Sequence, residues 1–206
     1  HEDEPWAPEL FSEFLQLPYR SDFFLGHRLD DFDGRYVDIE DGRRSSYSPT
    51  DAELTVWFFG GSTMFGIGQR DDYTLPSVVA RLAQTDGLRI EAVNFGISGY
   101  VNWQSLEQFE QALTSSELEA PDLAVFYDGV NERGLAGERV DRGDVRPGTI
   151  SRMATSNREQ ELVRSALDNQ DSIDWGERRT AIEIDLSADQ YRRGAELIGH
   201  LGESYD

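Results

Sequence analysis

The sequence predicts an α/β fold, a three-layer α/β/α sandwich around a parallel sheet. Two observations carry this. Three apolar, β-rich runs recur at 54–59, 90–95 and 123–127, and segments of helical spacing separate them with short loops. The order β-α-β-α-β with such connections means parallel strands joined by right-handed crossovers. In chain order, Phe11, Phe14, Leu15 and Leu17 suit a short amphipathic helix stopped by Pro18. Tyr36, Val37 and Ile39 read as a strand ended by Asp41-Gly42. Residues 1–50, acidic and aromatic, are expected to form an arm packed on the α/β domain of 51–206. The run Leu54 to Phe59 is apolar without alternation, as in a strand buried on both faces. Leu75, Val78, Val79 and Leu82 predict the apolar face of a helix capped by Thr74 and stopped at Gly87. Asn102 is expected to cap the next helix, with Leu106, Phe109 and Leu113 inward. Beyond Asn131, 133–185 reads as a long insertion or lid. Capping boxes at Ser156–Glu159 and Ser187–Gln190 predict two further helices.

Composition removes several functions. The chain has 206 residues, with 40 acidic against 19 basic, a formal charge of −21. All 19 basic residues are arginine. A pI near 4.4 argues against nucleic acid or an anionic bilayer as partner, because both demand a basic face. Without lysine there is no P-loop lysine, Schiff base or serine–lysine dyad. Without cysteine there is no disulfide, thiol nucleophile or thiolate metal site. Three scattered histidines make no metal cluster, and Asp30, Asp31 and Asp33 lack the glycine of an EF-hand loop. No run approaches the roughly 20 apolar residues of a membrane span. No signal peptide is visible, and the chain begins with His1, so it reads as a processed or partial sequence. The acidic surface favours an extracellular or envelope location over a cytoplasmic one.

In an open parallel sheet, ligands bind beyond the carboxyl ends of the strands. Three polar, glycine-containing segments sit there: Gly60-Gly61-Ser62-Thr63, Gly96-Ile97-Ser98-Gly99 and Asp128-Gly129-Val130-Asn131-Glu132. The first two lead toward helices, whose N-terminal amides favour a developing anion.

These segments resemble blocks I, II and III of the SGNH (GDSL-type) hydrolases, in order and in the same βα context. Block I is Phe59-Gly60-Gly61-Ser62-Thr63, block II Asn94 to Gly99, and block III Gly129 to Glu132. The resemblance implies a flavodoxin-like SGNH-hydrolase fold and a serine-dependent esterase or acyltransferase without a cofactor. Ser62 would be the nucleophile. Its own N–H, that of Gly99 and the Asn131 side chain would form the oxyanion hole. Gly61, Thr63, Asp128 and Glu132 would lie against the substrate, a small acyl ester on a small molecule, glycan or lipid. Two positions depart from the family pattern, with Gly61 for the usual Asp of block I and Glu132 for the Asp after Asn131. The family's closing Asp-x-x-His is not found: His200 follows Leu197 by three, and His27 follows Phe24 by three. The stretch is therefore expected to lack the last strands and the catalytic His and Asp. Two other readings stay open, a non-catalytic SGNH-like binding or scaffold domain and a flavodoxin-like phosphate or flavin binder.

Overall fold

The computed structural model describes residues 4–116 and 118–132. The predicted lid at 133–185, the helices predicted from Ser156 and Ser187 and His200 lie outside the described residues. The elements run α1 (Ala7–Gln16), β1 (Tyr19–Asp22), β2 (Gly26–Leu29), β3 (Phe32–Asp33), β4 (Asp38–Glu40), β5 (Arg43–Arg44), β6 (Leu54–Gly60), α2 (Ser62–Phe65), a 3₁₀ turn at Asp71–Tyr73, α3 (Leu75–Thr85), β7 (Ile90–Asn94), α4 (Asn102–Thr114) and β8 (Leu123–Tyr127).

The main sheet has the order β3-β4-β5-β7-β6-β8. The strands read from the apolar runs form its parallel core, with β6 hydrogen-bonded to β7 on one side and β8 on the other. Side chains alternate across a strand, so β6 feeds two cores. Val56 and Phe58 pack with Met64, Ala80, Ile90 and Ala92 on the α3 side. Trp57 and Phe59 pack with Phe95, Phe109 and Ala112 on the α4 side. Burial on both faces explains why β6 carries no polar alternation.

The arm differs from the expectation of a segment packed on the domain. Its strands β3, β4 and β5 continue the sheet antiparallel, joined where Arg44 pairs with Asn94 of β7. The purely parallel sheet is thus a mixed one. Within the arm, Glu13 is buried and its carboxylate accepts the backbone N–H groups of Arg35, Tyr36 and Val37 at 2.8–3.0 Å. That ties α1 to the turn before β4. Leu10 and Leu17 are buried with Leu29, Val37, Ile39 and Phe65 in one cluster, while Leu15 is exposed.

Helix α3 also differs. Its predicted inward face, Leu75, Val78, Val79 and Leu82, is exposed, and Ser77 and Ala80 face the sheet instead. Hydrogen bonds set this rotation. Ser77 Oγ accepts from the Tyr47 N–H at 2.9 Å and donates to the Asp71 carbonyl at 2.5 Å. Thr74 holds the cap position, yet its hydroxyl turns to Ser77 and the Asp71 carbonyl. In α4, Val101 is the cap and Asn102 the first helical residue. Among the described residues no helix is long and apolar enough to cross a membrane.

Phe59 is fully buried, stacked on Phe95 at 4.7 Å and Phe126 at 4.9 Å with Phe109 edge-on at 5.5 Å. It therefore joins β6, β7, β8 and α4. Phe59→Ala is expected to lower unfolding stability by about 3–5 kcal/mol in urea titrations, the range for emptying an aromatic core position.

Candidate active site

Strand β6 ends at Gly60, and Ser62 opens α2, a single turn of four residues. The helix this loop leads into is one turn, and the chain leaves it at Gly66 before α3 begins at Leu75. So short a helix supplies little macrodipole. What it does supply is local: the first amides of a helical turn have no intrahelical acceptor. Ser62 is half-buried, and its hydroxyl makes no hydrogen bond among the described residues.

The far end of this turn is held from the arm. Arg44, 2% exposed, donates through Nη1 to the carbonyls of Phe65 (2.9 Å) and Gly66 (2.8 Å) and through Nη2 to that of Gln69 (2.5 Å). Its Nε pairs with Asp71 at 2.8 Å. A cation at the last carbonyls of a helix is favourably placed. Beside it, Asn94 Nδ2 donates to the Met64 carbonyl, and Asn94 Oδ1 accepts the Gly96 N–H. Gly96 is required here because a Cβ would sit 2.4 Å from the Phe65 nitrogen. The second loop and the Ser62 turn thus touch backbone to backbone. Burial lifts the Asp71 carboxyl to about 6 despite the guanidinium beside it.

Gly61, Ser62, Thr63, Tyr100, Asp128 and Asn131 line one cleft of about 110 Å³ at the carboxyl edge of the sheet. A second, apolar depression of about 610 Å³ shares Ser62 and Thr63 and runs along Ile67, Tyr73, Leu75 and Val78. The exposed face of α3 therefore lies beside the serine. Asn131 Nδ2 donates one hydrogen to the Tyr100 carbonyl at 2.7 Å, which leaves its second N–H available. A Cβ on Gly61 would fall 2.5 Å from that nitrogen. Glycine at this block I position thus makes room for the Asn131 amide, a physical account of that departure.

Two predicted site residues take other places. Gly99 is exposed in a left-handed turn (φ 84°), and Tyr100, not Gly99, lines the cleft. Glu132 is buried, with both carboxylate oxygens on backbone: one accepts the Asn102 N–H and the other the Gly129 N–H at 2.8 Å. Its extra methylene over aspartate reaches the start of α4, so it caps that helix and fixes the Asp128–Asn131 loop. The α4 N-terminus is accordingly occupied by this carboxylate rather than open to an anion.

His27 lies in β2, buried beneath the second loop. Its Nε2 meets the Ser98 carbonyl at 2.9 Å, and its own carbonyl accepts from the Tyr100 hydroxyl at 2.7 Å. Burial holds its imidazole below the ordinary range, against the Ser98 carbonyl and Asp22. It does not line the cleft. Among the described residues no group of His, Asp and Glu is arranged to hold a metal ion. The residues that sequence patterns missed, Arg44, Asn94 and Tyr100, act by holding backbone. Of these only Asn94 stood within a recognised block.

Asp128 Oδ1 accepts from Ser105 Oγ at 3.2 Å, while Oδ2 is buried without a partner among the described residues. Burial and then the Glu132 carboxylate push its carboxyl up to about 7, against the Ser105 hydrogen bond. A carboxyl raised from 3.8 in the fold favours folding when protonated. That contribution is complete below about pH 3.8 and is lost as pH rises through 7. Asp128→Asn should therefore show a gain in Tm over the wild type that is absent at the acid end, grows up to about pH 7 and is flat above it. Thermal unfolding across pH checks this.

No family model matches the chain, and no curated protein matches it. Among solved structures it is similar to AlinE4, an SGNH-hydrolase family esterase, at 16% identity and TM-score 0.35 over 75% of this chain and 98% of that one. It is also similar to the acetyl xylan esterase AlAXEase, at 19% identity and TM-score 0.39 over 69% and 73%. A variant of Axe2, an acetyl xylan esterase from Geobacillus stearothermophilus, matches at 18% identity and TM-score 0.39 over 72% and 73%.

Proposed function

We propose that the protein is a serine-dependent hydrolase of the SGNH type that cleaves, or transfers, a small acyl group from an ester on a glycan, lipid or small alcohol. The observation that carries this is the convergence of Ser62 and the Asn131 amide on one cleft at the carboxyl edge of the sheet. Ser62 Oγ attacks the ester carbonyl, and its proton passes to a base. The tetrahedral oxyanion is met by the Asn131 N–H that Tyr100 leaves free and by the backbone amide of Ser62. The alcohol leaves with a proton, and water or a second alcohol removes the acyl group from Ser62. The apolar depression along Ile67 and Val78 suits the acyl side, and Thr63 and Asp128 the alcohol side. Glu132 acts as a positioning residue through the Asp128–Asn131 loop.

The base is the open element. His27 is buried away from the cleft and is the one histidine among the described residues. The second reading, a non-catalytic binding domain, is favoured by this one observation: no histidine of the described residues lines the Ser62 cleft.

One experiment separates the two. A fluorophosphonate probe applied to the protein expressed from its complete reading frame should label Ser62, and Ser62→Ala should abolish labelling. Asn131→Ala should lower kcat on acyl esters by about 10²–10³, the usual cost of one oxyanion donor. Absence of labelling, or equal labelling in Ser62→Ala, contradicts the esterase reading.

A further inference from the structure

The arm meets the site at a second place, through the hairpin β1–β2, which forms a small sheet of its own. The hairpin packs against the second loop: Leu25, Ile97 and Tyr100 form one buried cluster, with Tyr19 against it. Two residues fasten this contact. Gln104 of α4 donates through Nε2 to the Leu25 carbonyl at 2.5 Å, while its Oε1 accepts the Val101 N–H. His27 of β2 holds the loop twice. Its Nε2 donates to the Ser98 carbonyl at 2.9 Å, and its own carbonyl accepts the Tyr100 hydroxyl at 2.7 Å. Tyr100 is the link to the cleft. Its carbonyl accepts from Asn131 Nδ2 at 2.7 Å, which orients the amide that the esterase reading offers to the oxyanion.

The His27 ring suits one protonation state. A carbonyl can only accept, so Nε2 must carry the hydrogen. Nδ1 is buried and has no hydrogen-bond partner among the described residues. Neutral, Nδ1 is an unmet acceptor; protonated, it would hold a buried charge and a hydrogen with no oxygen to receive it, a larger cost. Tyr19 of β1 and Tyr100 of the loop face the ring, with centroids at 5.6 and 5.1 Å. Asp22 of β1 favours the cation, yet it is paired with Arg28 at 2.6 Å. Burial outweighs Asp22 and the Ser98 carbonyl and holds the imidazole below its ordinary 6.5. A histidine lowered in this way supports the fold fully above about pH 6.5, and that support is lost as pH falls through the lower folded value.

We propose that His27 is a positioning residue: its neutral ring pins the second loop, so that Tyr100 holds the Asn131 amide at the cleft, and a proton on the ring releases the loop. The effect on turnover rests on the esterase reading, whereas the pinning of the loop does not.

Hydrogen exchange of the peptide 96–101, expressed as protection over the free peptide, tests it. In wild type, protection should fall about tenfold between about pH 7.5 and about pH 5, while β6 and β7 stay protected. His27→Gln, an uncharged donor at every pH, should keep its protection over that range. His27→Phe, which fills the volume without a donor, should be poorly protected at both ends. With an acyl ester at neutral pH, His27→Phe should lower kcat about tenfold with KM little changed, and His27→Gln should restore most of the loss. The proposal is overturned if the wild-type loss is absent or spreads to β6 and β7, or if His27→Gln loses protection as the wild type does. Wild-type protection in a folded His27→Phe at neutral pH also overturns it, as does wild-type kcat in that variant of an active enzyme. An inactive protein with the expected exchange contradicts the esterase reading and leaves the pinning supported.

Discussion

A guanidinium with almost no exposure to solvent, Arg44, sits where the arm, the Ser62 turn and the 3₁₀ turn meet. Three carbonyls from 65–69 and the Asp71 carboxylate converge on it. A buried charge is tolerable only when its hydrogen-bonding capacity is met, and here the chain bends around the cation to meet it. The sharp exit of α2 at Gly66, with φ 85°, follows from this convergence. Arg44 is also the residue whose backbone pairs β5 with β7, so the same position extends the sheet. The rings of Phe14 and Phe65, about 5 Å from the guanidinium, complete its surroundings.

The site above this anchor is assembled from backbone more than from side chains. Gly96 lets the second loop touch the Ser62 turn, and Gly61 admits the Asn131 amide. Glu132 binds two amides so that the third loop and α4 move as one. Preorganisation of this kind is what an oxyanion site needs, since donors fixed before reaction lose nothing to reorientation. Asp128 is the exception, a carboxyl with one oxygen unmatched. Its raised pKa marks a group whose environment is tuned away from simple solvation.

The parallel core was legible from the sequence because its strands are apolar on both faces and each ends in a polar, glycine-rich loop. The predicted and observed bounds of β6, β7 and β8 differ by at most one residue. The three loops were legible for the same reason, whereas the pairing of Ser62 with Asn131 came only from the family resemblance those loops carry. The arm was not, because β3 and β5 are two-residue strands that exist only through their partners. The rotation of α3 was hidden too: the periodicity of Leu75, Val78, Val79 and Leu82 marks an apolar face but not what it faces. Ser77, polar and inward, decides that through Tyr47 and Asp71. Arg44 reads in sequence as a loop charge beside Arg43, and only the fold separates the buried one from its half-exposed neighbour. Glu132 reads as a conservative change, whereas its reach to Asn102 gives it a different task.

A cation contributed by the arm shapes the turn that presents Ser62. Hydrogen exchange followed by mass spectrometry, comparing wild type with Arg44→Met, tests this most directly. Peptides covering 62–69 should lose protection in the variant while those covering β6 and β7 keep theirs. Unchanged protection of 62–69 in Arg44→Met would contradict it.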